Sequence, residues 1–224
     1  MKLPSRVLPI AVMILIPAVF RLYPYVRGAL GLADIHDPAS FIWTFSPVAA
    51  TFLFGGAVFA DRRWAYLAPL LAMLLSDLGI ILLTGELGKG FHAMTPVMYA
   101  TYAVMIWIGT RLGHAWRAAG DRNRFLKRFA ATAGAGVLCE AVFYVVTNFA
   151  TWAMPTGYYP HTFAGLVECY VVAIPFARAL ATGMAIYATL MFGCLALVEW
   201  RFGAARLAAA AFPENVPANR PAAG

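Results

Sequence analysis

The sequence predicts an all-α fold: a polytopic membrane helical bundle of about six transmembrane helices, with the N- and C-termini both in the cytoplasm. Of the 224 residues, 62% are hydrophobic and only 12% are charged, whereas about a quarter of the residues of a soluble domain are charged. About six apolar stretches approach the roughly 20 residues that a helix needs to cross the hydrocarbon core. Lys and Arg are concentrated in alternate connections between these stretches, as the positive-inside rule requires.

The apolar stretches define the predicted helices in order. A shorter stretch at 162–174 is too short to cross the bilayer, so it is predicted to be a re-entrant or interfacial helix, which Pro175 separates from the last span. Arg21 and Tyr23 follow the first stretch without a small-residue cleavage site, which favours a retained helix over a signal peptide. The six predicted spans are 7–22, 45–60, 64–84, 93–113, 129–152 and 180–200.

The basic residues fix the predicted orientation. Arg62 and Arg63 lie between the second and third spans, and a basic cluster from Arg111 to Arg128 lies between the fourth and fifth. These connections are therefore predicted to be cytoplasmic. Residues 1–202 form the predicted transmembrane domain. The tail at 203–224 is rich in Ala and Pro and is predicted to be a disordered cytoplasmic segment.

The charge and the motifs narrow the function classes. The net charge of +7 is explained by basic residues at cytoplasmic membrane ends that meet anionic lipid, so we expect the bilayer as partner and no nucleic acid. The three cysteines have neither CxxC nor zinc spacing. No nucleotide-binding loop, nucleophile elbow or HExxH motif is present in the sequence. We therefore predict no enzymatic activity, no cofactor and no metal site.

Polar residues inside the spans mark the candidate site. Ionisable side chains are costly in lipid and usually face the bundle interior or a cavity. A polar stripe on one face of the fifth span runs from Glu140 to Thr151. One interpretation is an outward-opening solute cavity; the other is interhelical hydrogen bonding, worth about 0.6 kcal/mol per bond, that only holds the bundle together. The candidate solute-binding residues are Asp77, Tyr99, Glu140, Tyr144, Asn148, Trp152, Tyr159 and His161.

Several longer motifs resemble a known family. They are FSPVAA at 45–50, LFGGA at 53–57, LAPLLAMLLSD at 67–77, VTNFATW at 146–152 and YPHTFAGL at 159–166. As a set they resemble a bacterial family of uncharacterised integral membrane proteins. That resemblance implies a multi-pass protein of the bacterial cytoplasmic (inner) membrane.

In its span count and its long first external connection, the chain is similar to the S components of energy-coupling-factor (ECF) vitamin transporters. This similarity implies uptake of a small, vitamin-like solute through an outward-facing pocket, with a membrane coupling partner and an ATPase. The first helix lacks the Ala-x-x-x-Ala contact of many S components, because the residue four positions after Ala11 is Leu15 and the residue four positions after Ala18 is Leu22. Transport by this chain alone, without a coupling partner, therefore remains an alternative. The alternative function is a non-catalytic membrane subunit of a larger complex.

Overall fold

The computed structural model describes residues 7–32, 46–59, 61–118, 124–155 and 158–202. Within these ranges the chain forms seven helices and no strand, which confirms the predicted all-α class. One of the seven, α4, is a single turn. The helices are α1 (Val7–Ala29), α2 (Val48–Val58), α3 (Arg62–Thr84), α4 (Leu87–Gly90), α5 (Thr95–Ala118), α6 (Arg124–Ala153) and α7 (Phe163–Phe202).

Among the residues that the structure describes, four helical stretches are long and apolar enough to cross a membrane: α3, α6, α7 and the stretch Leu87–Trp116, which contains α4 and most of α5. These helices contain the predicted third, fourth, fifth and last spans. Their length and composition indicate a membrane protein. The first predicted span falls in α1, whose 23 residues measure about 34 Å at 1.5 Å per residue.

The second predicted span, 45–60, is longer than the helix found there. α2 has 11 residues, about 16 Å, which is roughly half of the 30 Å hydrocarbon core. Residues 33–45 and 60 lie outside the described residues. Eight of the 11 residues of α2 are buried, including Phe52 and Leu53, so other helices surround most of this short helix, which is apolar on all sides.

The prediction of a separate short helix at 162–174 was wrong. This segment and the last span are one continuous helix, α7, and Pro175 lies inside it. Proline removes one helical hydrogen bond, but a membrane helix tolerates this when neighbouring groups satisfy the freed carbonyl. At 40 residues, or about 60 Å, α7 is longer than the roughly 30 Å hydrocarbon core, so part of it must lie beyond that core.

Close backbone contact joins α2 to α5. A side chain at Gly56 would overlap the Ile106 carbonyl oxygen, and one at Gly113 would overlap the Ala57 carbonyl oxygen. Phe52 stacks on Tyr102 with ring centroids 4.4 Å apart. Residue numbers increase together along both helices, so α2 and α5 run in the same direction. Small residues permit such contact where lipid supplies little hydrophobic drive for helix association.

The other helix pairs show that direction alternates along the chain. α1 runs parallel to α3, since Arg21 meets Asp77 and Leu22 packs beside Gly79. α5 and α6 are antiparallel, and so are α6 and α7. The contacts that show this are Trp116 with Thr132, Tyr102 with Phe143, Tyr144 with Tyr170, and Arg128 with Glu199.

The alternating directions bring the basic residues together. α3 and α6 begin at the same end of the bundle, where α5 and α7 finish. We call this end the basic end and define it by Arg62, Arg63, Arg124, Lys127 and Arg128. The described part of the chain thus collects on one side the basic residues that the sequence analysis assigned to the cytoplasm.

Candidate functional site

A buried ion pair joins α1 to α3. The Arg21 guanidinium pairs with one carboxylate oxygen of Asp77, whose side chain is 1% exposed. Arg21 Nη1 also donates to Ser76 Oγ at 2.8 Å. The Tyr99 hydroxyl donates to the second carboxylate oxygen, Asp77 Oδ2, at 2.7 Å. Both oxygens of Asp77 therefore have partners inside the bundle.

Sequence reasoning selected Asp77 and Tyr99 but missed Arg21. The signal was present, because an Arg and an Asp both lie within apolar helices, and such charges usually pair with one another. What the sequence does not show is that α1 and α3 are neighbours. Because α1 and α3 pack against each other, the ion pair lies inside the bundle and joins the two helices.

A cavity of about 910 Å³ lies between α6 and α7 and opens to the surface. It runs from Tyr144 and Ala177 to Arg124 and Trp200 at the basic end. We call it the α6–α7 cavity. Small side chains on the facing helices leave this space. Its walls include Ala133, Gly136, Val137, Ala141, Ala181, Met184, Ala185 and Ala188.

Two of the predicted site residues line the α6–α7 cavity. Glu140 is half-buried, and its Oε1 atom is fully buried without a hydrogen-bond partner in the described part of the chain. Burying a carboxylate oxygen without a partner is costly. Tyr144 also lines the cavity, but its hydroxyl already donates to the Tyr170 carbonyl oxygen at 2.5 Å. Glu140 thus lies in the cavity wall and has one carboxyl oxygen without a hydrogen-bond partner among the described residues.

The basic end of the cavity carries a second polar group. Arg128 Nη1 donates to Glu199 Oε2 at 2.6 Å, and Arg124 Nη2 lies 3.5 Å from the same oxygen. The Arg128 guanidinium also lies 4.5 Å from the ring centroid of Trp116. Sequence reasoning used both arginines for topology only, because pairing across α6 and α7 cannot be read from their positions.

Asn148 is part of neither polar group of the α6–α7 cavity. Its Nδ2 donates to the Tyr144 carbonyl oxygen at 2.7 Å, within its own helix. Thr147 and Thr151 likewise donate to carbonyl oxygens four residues earlier, at 2.7 and 2.9 Å. Much of the polar stripe of α6 therefore bonds to its own backbone.

The remaining predicted residues lie at the end opposite to the basic end. Trp152 Nε1 donates to the Pro160 carbonyl oxygen at 3.1 Å, and the Trp152 and His161 rings are 5.7 Å apart. His161 Nε2 lies 3.4 Å from the Met154 carbonyl oxygen. Tyr159 is half-buried in the same connection. The structure thus distributes the predicted residues over separate places rather than one outward pocket.

Among the described residues, no group of three or more His, Cys, Asp or Glu side chains is placed to hold a metal ion.

The helices define the class: an all-helical protein whose long apolar helices indicate a membrane protein. The family of unknown function DUF6580 matches residues 1–210, and the chain belongs to this family. This agrees with the predicted resemblance to an uncharacterised family. No curated protein and no solved structure matches the chain. The similarity to ECF S components has no support from these comparisons.

Proposed function

We propose that this chain is a multi-pass protein of the bacterial cytoplasmic membrane that binds a small solute in the α6–α7 cavity and takes part in its transport. The observation that carries the proposal is that Glu140 lies in the wall of this cavity and that its buried Oε1 has no hydrogen-bond partner among the described residues. A solute with a hydrogen-bond donor or a positive charge would supply the missing partner. The cavity volume of about 910 Å³ lies within the usual range of small-molecule sites.

The lining indicates the kind of solute. Most of the walls are formed by Ala, Gly, Met and Phe side chains, and Glu140 and Tyr144 are the polar side chains near the end of the cavity farthest from the basic end. A vitamin-sized molecule with an apolar body and one donor group matches this arrangement. The apolar body would replace the lipid or water beside the small residues, while the donor group would pair with the carboxylate.

The position of the cavity favours access from the cytoplasmic side or from the surrounding lipid. The cavity reaches the basic end of the bundle, which the positive-inside rule assigns to the cytoplasm. The sequence analysis expected a pocket at the other end. In alternating access, a site near the bilayer midplane opens to one side at a time. The cavity would then correspond to the inward-open state, with or without an energy-coupling membrane partner and its ATPase.

A specific observation favours the alternative function, a non-catalytic subunit of a larger complex. Only 11% of the most apolar window of α6 is buried, compared with 39% in α3. A partner helix would cover this face of α6 and fill the α6–α7 cavity. In that case the cavity would be a protein interface and no small molecule would accompany the purified chain.

A pair of substitutions on α6 tests the solute proposal. Ala141 lines the cavity and Ala130 does not, and both are exposed, so Phe should be accommodated at either position. We expect a small molecule to be extracted in stoichiometric amount from the wild-type protein and from Ala130→Phe, and to be lost in Ala141→Phe. Glu140→Gln should lower its occupancy. Mass spectrometry of the extracts measures these amounts; equal occupancy in both Phe variants would reject the proposal.

A further inference from the structure

We propose that the mouth of the α6–α7 cavity at the basic end binds an anionic phospholipid. The headgroup phosphate would lie against Arg124, and one acyl chain would occupy the half of the cavity nearest to that residue. This site is separate from the Glu140 end, and the inference does not depend on the solute proposal.

Arg128 is already engaged within the protein. Its Nη1 donates to Glu199 at 2.6 Å, and its Nε and Nη2 donate to the Trp116 carbonyl oxygen at 3.2 and 3.0 Å. Its side chain is 11% exposed. Arg128 therefore neutralises Glu199 and fixes α5, α6 and α7 to one another at this end.

Arg124 keeps a positive charge that Glu199 does not neutralise. It shares the same Glu199 oxygen at the longer distance of 3.5 Å. Its Nε is buried and lacks a hydrogen-bond partner among the described residues. Two guanidinium groups thus share one carboxylate, which leaves one positive charge at the mouth. A phosphate supplies both the opposite charge and the acceptors that a guanidinium binds well.

The walls beside Arg124 suit an acyl chain. Phe125 and Phe129 stack with ring centroids 6.5 Å apart and are 78% and 57% exposed, while Trp200 is 83% exposed. All three line the cavity. Aromatic residues next to basic ones are typical of the membrane–water interface. The lipid would therefore place its headgroup at the depth where anionic headgroups lie.

The cavity is longer than one acyl chain. A lipid bound at Arg124 would therefore fill only the end of the cavity nearest to that residue. Arg124 and Glu140 are 16 residues apart on α6, about 24 Å along the helix. One leaflet contributes half of the roughly 30 Å hydrocarbon core, about 15 Å. An acyl chain that starts at Arg124 would end near Gly134. The Glu140 end would stay free for a solute, which would then enter from the surrounding lipid and not through the basic end.

Native mass spectrometry of the delipidated full-length protein tests the inference. Phosphatidylglycerol and phosphatidylcholine, with identical acyl chains, are titrated separately. We expect phosphatidylglycerol to bind the wild-type protein about tenfold more tightly, because a charge-assisted pair of about 1.4 kcal/mol corresponds to a factor of ten. Arg124→Gln should abolish this preference. Lys127→Gln, which removes an exposed cation three residues away that does not line the cavity, should preserve it.

A second pair of variants tests the acyl-chain half of the site without altering charge. Ala133→Trp fills the cavity next to the mouth, whereas Ala130→Trp lies outside it. The first should weaken phosphatidylglycerol binding and the second should not. Equal binding of the two lipids, equal losses in Arg124→Gln and Lys127→Gln, or displacement of the lipid by inorganic phosphate alone would overturn the inference. Retention of lipid binding in Glu140→Gln would support a separate site.

Discussion

Arg21 of α1 and Asp77 of α3 form an ion pair although they are 56 positions apart in the chain. The Asp77 side chain is 1% exposed and that of Arg21 is 21% exposed. Tyr99 adds a hydrogen bond from α5, so three helices meet at one carboxylate. Because neither charge is tolerated alone at this depth, the pair determines which face of α1 can lie against α3.

Removal of one partner should therefore destabilise the protein strongly. We expect Arg21→Met to lower the free energy of unfolding by about 3 kcal/mol, because it leaves the Asp77 carboxylate buried without its counter-ion. The double variant Arg21→Met/Asp77→Leu should recover much of the loss, since no charge remains to be compensated. Thermal unfolding of the purified protein measures both changes. Arg27→Gln, near the exposed end of α1, serves as the control; an equal loss in that variant would contradict the assignment.

The backbone contact between α2 and α5 gives a second prediction. A side chain at Gly109 would overlap the Leu53 carbonyl oxygen, whereas a Cβ at Gly134 meets nothing within 4 Å. Gly109→Leu should therefore separate the two helices and give little or no folded protein, because the obstacle is backbone that cannot rotate away. Gly134→Leu should fold normally. Size-exclusion profiles in detergent compare the two, and a monodisperse Gly109→Leu protein would disprove the close contact.

Orientation in the membrane can be measured by cysteine labelling. The basic end carries Lys127, and the opposite end carries Leu87, 66% exposed, and Tyr158, 77% exposed. With the three native cysteines replaced by Ala, we expect Leu87→Cys and Tyr158→Cys to react in intact cells with a membrane-impermeant maleimide. Lys127→Cys should react only after the cells are opened. The reverse pattern would place the basic end outside.

Hydropathy and span length predicted the helices that consist of one apolar stretch of spanning length. They failed where contacts with other helices determine where a helix begins and ends. α3, α5 and α6 follow from apolar stretches of spanning length. α2 did not, because its limits depend on burial among other helices and not on length. Pro175 was interpreted as a boundary because proline usually ends helices in isolation, but the surrounding helices keep α7 continuous.

The candidate site was harder to predict for a similar reason. Helical spacing correctly grouped Glu140, Tyr144 and Asn148 on one face, and two of these three line the α6–α7 cavity. Spacing does not reveal that the Asn148 amide turns back to its own helix. It also cannot show that Asp77 has its partner in α1. The residue types indicated which side chains are costly to bury within the membrane. Only the packing of the helices shows which partners offset that cost.

The continuity of α7 predicts that Pro175 is dispensable. If Pro175 lies inside a continuous helix, Pro175→Ala restores a backbone donor and removes the clash with the preceding turn. We expect the midpoint of thermal unfolding to rise or stay unchanged, and the accessibility of Tyr158→Cys to remain the same. A fall in stability together with altered labelling would indicate that proline forms a required turn between two separate segments.

The last prediction concerns Asn148 and separates the polar stripe from the cavity. Asn148 Nδ2 bonds to the Tyr144 carbonyl oxygen of its own helix, and Asn148 does not line the α6–α7 cavity. Asn148→Ala should therefore cost about 1 kcal/mol or less in stability, because the Tyr144 carbonyl oxygen also serves the helix backbone. It should leave the extracted solute unchanged, whereas Glu140→Gln replaces the carboxyl group in the cavity wall by an amide and should lower solute occupancy. Mass spectrometry of extracts from the two variants, prepared in parallel, makes the comparison. Loss of solute in Asn148→Ala but not in Glu140→Gln would move the binding site from the α6–α7 cavity to the end of α6 near Trp152 and His161.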